Sequence, residues 1–163
     1  MGVYTIGPPE ALVVLLQRTF LIRDFIETGT YEGTTAAWAA DRFPNVVTIE
    51  LSPALHAASV ARYGAKRNID FRLGDSEKIL PGIVASLNRP ALFWLDAHFS
   101  GEATAGVERQ CPLLGELLTI EQAPLMHFLL IDDARLFMAP PPLPLHPDHW
   151  PTIWEIRERG ALE

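Results

Sequence analysis

The sequence predicts an α/β protein: a doubly wound, mostly parallel sheet with helices on both faces. Three observations carry that expectation. Short apolar and β-branched runs alternate with helical stretches over residues 23–137. The runs are apolar at successive positions, which marks strands buried on both faces and covered by helices on each side. Finally, every predicted strand ends in an acid: Glu27, Glu50, Asp75, Asp96 and the pair Asp132-Asp133. Ligands of open parallel sheets bind outside the carboxyl ends of the strands, near the point where strand order reverses. The acids therefore line the edge where a ligand would sit.

The elements follow in order. Pro8-Pro9 opens an amphipathic helix, Glu10 to Phe20. A strand of about Arg23 to Thr28 turns through Gly29 into a helix from Gly33 to Phe43, which Pro44-Asn45 breaks. Val46 to Glu50 is the next strand, and Ser52-Pro53 caps and starts a helix reaching about Lys66. Ile69 to Leu73 is a third strand, stopped by Gly74-Asp75-Ser76; the helical stretch after it runs to Leu87, with Pro81 forcing a kink or a restart. Ala91 to Leu95 is an apolar strand, Phe99 to Gln110 a polar loop, Pro112 to Gln122 a helix, and His127 to Ile131 the fifth strand. Pro140-Pro141-Pro142, Pro144 and Pro147 then make a stiff extended connection to a last helical piece, about Pro151 to Arg159.

The 163 residues fit one domain, read as an N-terminal helix (1–22), a ligand-binding core (23–137) and a proline-rich tail with its helix (138–163). A formal net charge of −7 argues against nucleic acid, whose phosphates need clustered Lys and Arg. Small molecules and cations are the better partners. No run of about 18 uncharged apolar residues suggests a membrane span. Met1 is not followed by a basic region and an apolar signal core, and the single cysteine, Cys111, allows no internal disulfide. The expected location is the cytoplasm.

The turn after the first strand organises the rest. Gly29 can adopt the positive φ of a sharp strand-to-helix turn. Gly33 lets the first helical turn lie close to a ligand or to the sheet, and the free N–H groups there face the crevice. Glu27 is placed to accept hydrogen bonds. Glu50 follows Gly29 by about 20 residues, the spacing of a ribose-binding acid in a mononucleotide fold. Asp75 either caps the next helix or lies on the adenine side of a nucleotide. Asp96 and Asp132 end strands that should be neighbours, roughly 5 Å apart. Carboxylates that close raise one another's pKa unless a cation neutralises them, and a hard divalent ion suits such a cluster; the alternative is a set of caps facing solvent. His98 is a general base, a ligand or a packing residue. His146-Pro147-Asp148-His149 has the composition of a metal clip, although an ordinary polar loop is the simpler reading. Cys111, without an acid–base partner, reads as structural.

Laid out this way, the chain resembles the class I S-adenosylmethionine-dependent methyltransferases over about Phe20 to Phe137. Glu27-Thr28-Gly29-Thr30-Tyr31-Glu32-Gly33 is similar to that family's first motif, which holds the methionine part of the cofactor. The resemblance implies that Glu50 binds the ribose hydroxyls, that Asp75 and Ser76 lie beside the adenine, and that Asp96 sits near the transferred methyl. Tyr31 departs from the motif where its middle glycine commonly stands, so backbone approach there is looser or differently shaped. The same departure weighs against a nicotinamide dehydrogenase, whose G-x-G-x-x-G has no match. A narrower resemblance is to the metal-dependent sugar O-methyltransferases, which implies Asp96, Asp132 and Asp133 as ligands of Mg²⁺ with His98 as base. The family's usual last two strands, an antiparallel hairpin at the sheet edge, are not evident; a shortened chain, a minimal enzyme or an edge completed by a partner chain in a homodimer all remain open.

The expected activity is S-adenosyl-L-methionine-dependent O-methylation of a small-molecule acceptor, with Asp96 and His98 as catalytic residues and a divalent ion assisting. The competing readings are a non-catalytic S-adenosylmethionine- or nucleoside-binding module and another nucleotide-dependent Rossmann-like enzyme. The loop Phe99 to Gln110 is expected to act as a lid over the acceptor.

Overall fold

The structure is a computed structural model that describes residues 7–99 and 110–158. Its elements are α1 (Glu10–Phe20), β1 (Asp24–Thr28), α2 (Thr34–Ala40), β2 (Asn45–Glu50), α3 (Pro53–Tyr63), β3 (Ile69–Leu73), α4 (Ser76–Ser86), β4 (Ala91–Leu95), α5 (Leu113–Glu121), β5 (Phe128–Ile131) and α6 (Ile153–Glu158). Short 3₁₀ turns at Ala134–Phe137 and Pro147–His149 punctuate the tail. The five strands form one sheet in the order β3-β2-β1-β4-β5, every pair parallel. Strand order therefore reverses between β1 and β4. The Rossmann-like, doubly wound class expected from the alternation is the one observed. Among the described residues no antiparallel hairpin follows β5.

Successive residues of β1 and β4 feed two separate cores. Phe25, Val46, Leu92 and Trp94 pack with Val13 of α1, Ala36 and Ala39 of α2, and Phe43. Ile26, Ile49, Phe93 and Leu95 pack on the other face with Leu80 and Val84 of α4 and with Leu113, Leu117 and Ile120 of α5. This is why the strand sequences show no polar alternation: both faces are covered. Each fully buried phenylalanine, such as Phe25 or Phe93, contributes about 2–3 kcal/mol by leaving water.

Two expectations change. The restart at Pro81 does not occur, because α4 is one helix through it. The ring removes only the N–H that would reach Glu77's carbonyl, while buried Leu80 and Val84 anchor the helix on both sides. The tail is also more than an extended connection. Phe137, Trp150 and Ile156 are buried in the α4–α5 core, and Gln110 Oε1 accepts from both His146 N–H (2.8 Å) and Trp150 Nε1 (3.3 Å). No described helix is long and apolar enough to cross a membrane.

Candidate functional site

Parallel pairing brings the acidic strand ends to one edge. Thr28 is level with Ile49 of β2 and with Leu95 of β4, so Glu27, Glu50 and Asp96 cluster around the point where strand order reverses. Gly29 takes φ +83°, and its N–H donates to Ile49's carbonyl at 2.9 Å. An alanine Cβ here would lie 2.4 Å from the backbone oxygen of Asp96. The glycine is thus required by the close approach of the chain leaving β4.

The turn is then locked by carboxylates and hydroxyls. Glu50, 6% exposed, accepts the Tyr31 N–H through one oxygen and the Ser52 N–H through the other, both at 2.8 Å. Tyr31 sits at φ +48°, a left-handed conformation that costs a non-glycine residue about 1–2 kcal/mol. Its N–H bond to Glu50 and the Ser59 Oγ–H donated to its carbonyl at 2.8 Å hold it there, with its side chain half exposed. Gly33, at φ +75°, is what admits α3: a Cβ would come within 3.1–3.2 Å of Tyr63 and Ser59.

Glu27 is fully buried beneath this turn. Burial pushes its pKa up to about 8; the hydrogen bond from Thr48 pulls it down, and the charges of Asp96 and Glu50 push it up further. Thr48 Oγ1 lies 2.6 Å from Glu27 Oε2 and 2.6 Å from Thr30 Oγ1, a buried chain reaching the turn.

Beyond the end of β3, Asp75 caps α4 by accepting Glu77 N–H at 3.1 Å and pairs with Lys78 at 3.1 Å. Ser76 is buried. A residue that sequence reasoning missed meets it there. Glu116 of α5 is 1% exposed, with burial raising its pKa to about 7; the hydroxyls of Ser76 and Thr28 oppose that shift, and the charges of Glu77 and Asp75 add to it. The signal was available: Leu113, Glu116, Leu117 and Ile120 form one helical face, and a carboxylate in an apolar stripe needs a reason.

Across the switch point, Asp96, His98 and Asp132 bring one ligand atom each within 4.8 Å of one another. Asp132 N–H donates to Leu95's carbonyl, which fixes the two strand ends as neighbours. Burial and the charge of Asp96 raise the pKa of Asp132, against the lowering effects of the Asp133 backbone N–H and of His98. His98 Nε2 lies 3.2 Å from Asp96 Oδ1 and 3.4 Å from Asp133 Oδ2. Burial lowers its pKa, but the hydrogen bond and charge of Asp96, with the charges of Asp133 and Asp132, outweigh burial and leave it raised. Asp133, at φ +50°, directs its carboxylate to His98 and to Arg135 at 2.8 Å. Thus the closest O/N/O set is Asp96, His98 and Asp132, with Asp133 behind the histidine. The His98 ring packs against Trp150, 5.4 Å between centroids.

His146 and His149 stack on each other in the tail, and neither is part of that set. Cys111 is buried in the core beside Leu113. The expected lid falls on residues 100–109, outside the described residues; at its base Phe99 N–H donates to Gln110's carbonyl at 2.8 Å.

No protein-family model matches the sequence, and no curated protein matches it. Solved structures do match. The chain is similar to the O-methyltransferase TomG of Streptomyces achromogenes, involved in tomaymycin synthesis and solved with S-adenosylmethionine. That match has 18% identity and a TM-score of 0.65, covering 97% of this chain and 69% of that one. It is similar to a Klebsiella pneumoniae protein provisionally described as an O-methyltransferase (16%, TM-score 0.61, 100% and 72% covered). It is also similar to the Podospora anserina methyltransferase PaMTH1, solved with S-adenosylhomocysteine (23%, TM-score 0.58, 93% and 66% covered). These likenesses extend through the sheet and its helices, and what they establish is the fold.

Proposed function

We propose that this chain, whose fold is that of the class I S-adenosylmethionine-dependent methyltransferases, binds S-adenosyl-L-methionine and methylates an oxygen of a small-molecule acceptor. The cofactor would lie across the carboxyl ends of β1 and β2, at the point where strand order reverses. The observation that carries this reading is Glu50. It is nearly buried at the end of β2, yet it already grips the glycine turn through Tyr31 N–H, so remaining lone pairs of a fixed carboxylate flank the place of a ribose. Structural neighbours solved with the cofactor or its demethylated product support the choice of ligand.

The residues divide the work by position. Gly29 opens the turn, Glu27 lies beneath it for the cofactor's amino group, and Asp75 with Ser76 faces the adenine. The protein's task in methyl transfer is to align acceptor and sulfonium and to remove the acceptor's proton. Asp96 and His98 stand on the far side of the switch point for that purpose, with Asp133 orienting the imidazole. The oxygen-rich donor set of Asp96 and Asp132, with His98 beside it, fits a divalent ion such as Mg²⁺. Such an ion would supply Lewis acidity that lowers the pKa of an acceptor hydroxyl.

Titration calorimetry with S-adenosylmethionine tests the reading directly. Glu50→Ala removes two charge-assisted hydrogen bonds of about 1.5–3 kcal/mol each, so affinity should fall roughly a hundredfold or more. An unchanged dissociation constant in the folded variant removes the ribose assignment.

Glu27 gives a second check. Its pKa of about 8 keeps it neutral at pH 7 in the free protein, whereas a cofactor ammonium beside it favours the carboxylate. Binding at pH 7 should therefore release a proton, and the apparent enthalpy should differ between phosphate and Tris buffers. Glu27→Gln should lose that difference. Equal enthalpies in both buffers for the native protein would reject the placement of Glu27.

A further inference from the structure

We propose that Trp150, held in place by Gln110, is a positioning residue for the His98 imidazole, so that the tail after β5 belongs to the reacting side of the site. The inference rests on the reading above, in which His98 takes the acceptor's proton.

A histidine ring is not fixed by its own torsions, because χ2 of an imidazole is broad and roughly two-fold. Contacts must fix it. At one nitrogen, Nε2, the carboxylates of Asp96 and Asp133 stand 3.2 and 3.4 Å away. Contacts at a single atom leave the ring able to turn about that atom. The second constraint is an aromatic ring: that of Trp150 lies 5.4 Å away between centroids, tilted by 49°, within the spacing at which aromatic pairs attract. Trp150 is 6% exposed, so its ring serves the imidazole rather than an acceptor in the open crevice.

What fixes Trp150 is a buried amide. Gln110 is 2% exposed, and its Oε1 accepts Trp150 Nε1–H at 3.3 Å and His146 N–H at 2.8 Å. Both partners are donors, which fixes the orientation of the amide. Between them Pro147–His149 forms a 3₁₀ turn, where His149 N–H donates to His146's carbonyl and Trp150 N–H to that of Pro147. One oxygen thus grips both ends of the turn. His146-Pro147-Asp148-His149, whose composition suggests a metal clip, is in this account the turn that delivers Trp150. Phe137 packs against the same indole at 6.0 Å. The amide is also tied back to the histidine, since Gln110's carbonyl accepts Phe99 N–H at 2.8 Å, one residue from His98. His98, Phe99, Gln110 and Trp150 therefore close a circuit of contacts, and the imidazole cannot shift without disturbing the tail. A reacting group displaced by about 1 Å can lose roughly a hundredfold in rate.

Imidazole proton NMR of the ligand-free full chain tests this, with the His98 resonance identified by its loss in His98→Gln. In the native chain that resonance should be narrow and displaced by the indole ring. Trp150→Leu should abolish the displacement, Trp150→Phe should keep part of it, and Gln110→Met should broaden the line. Phe43→Leu, in the core on the opposite face of the sheet, should lower Tm yet leave the resonance unchanged. A native-like His98 resonance in Trp150→Leu would make Trp150 a core residue only and overturn the proposal. Should that variant not fold, unchanged lines in both Trp150→Phe and Gln110→Met overturn it equally. Calorimetry with S-adenosylmethionine should give dissociation constants within about twofold across the variants. A loss of affinity in Trp150→Leu that Phe43→Leu does not share would place Trp150 in the cofactor site instead, against the proposal. Failure of the native chain to bind S-adenosylmethionine overturns the functional reading and with it the purpose of the fixed ring, while the resonance still reports the contact.

Discussion

Gly29→Ala should cost this protein several kcal/mol and its cofactor site together. The residue sits at φ +83°, where an alanine loses about 1–2 kcal/mol. Its new Cβ would also lie 2.4 Å from the oxygen and 2.7 Å from the carbonyl carbon of Asp96. These are backbone atoms of a segment held to β1 by the Asp96 N–H bond to Thr28's carbonyl at 3.0 Å, so they cannot swing aside as a flexible side chain would. Forcing β1 and β4 apart at the switch point adds about 1–3 kcal/mol of overpacking. A total of about 2–5 kcal/mol would lower Tm by roughly 10 °C in a chain of this size. Gly82 supplies the control: it lies inside α4, and a Cβ added there would meet nothing within 4 Å, so Gly82→Ala should hold or raise Tm by helix propensity alone. Thermal melts of the two variants decide it. Equal Tm values would mean that the turn after β1 is not tightly held by the chain leaving β4.

How much of this is legible in the residues depends on where the decisive contact lies in sequence. The strands can be read because burial on both faces leaves a local signature, as in Ala91 to Leu95. The turn at Gly29 can be read because a left-handed residue in a strand-to-helix turn selects glycine locally. Tyr31 cannot, since its left-handed backbone is held by Glu50 and Ser59, 19 and 28 positions away. The strand-end acids announce an edge, but not which carboxylates converge. Asp133 follows Asp132 directly, yet its backbone turns to φ +50° and sends the side chain to His98 and Arg135. The prolines of the tail read as a connection, whereas isolated Trp150 and Ile156 anchor it in the core. Periodicity misses such single anchors because it needs several residues to register.

Asp132→Asn should abolish metal-stimulated methyl transfer while leaving cofactor binding nearly intact. Asp96 and Asp132 end paired strands, and their carboxylates with His98 come within 4.8 Å of one another. The raised pKa of Asp132, from burial and then from the charge of Asp96, is the mark of a pair that resists double ionisation alone. A divalent ion held there would stabilise both charges at neutral pH. Losing one ligand of such an ion would remove several kcal/mol of transition-state charge stabilisation, or roughly a hundredfold or more in rate. Cofactor affinity should change little because Gly29 and Glu50 lie over β1 and β2, on the other side of the switch point. Two readouts separate the roles. The native chain should gain Tm on addition of Mg²⁺ or Mn²⁺, and Asp132→Asn should not. Turnover should collapse after thorough chelation and return with the ion. Full activity in a chelated, metal-free preparation would remove the metal role and leave His98 with Asp96 as a simple acid–base pair, in which case Asp132→Asn should retain most of its rate.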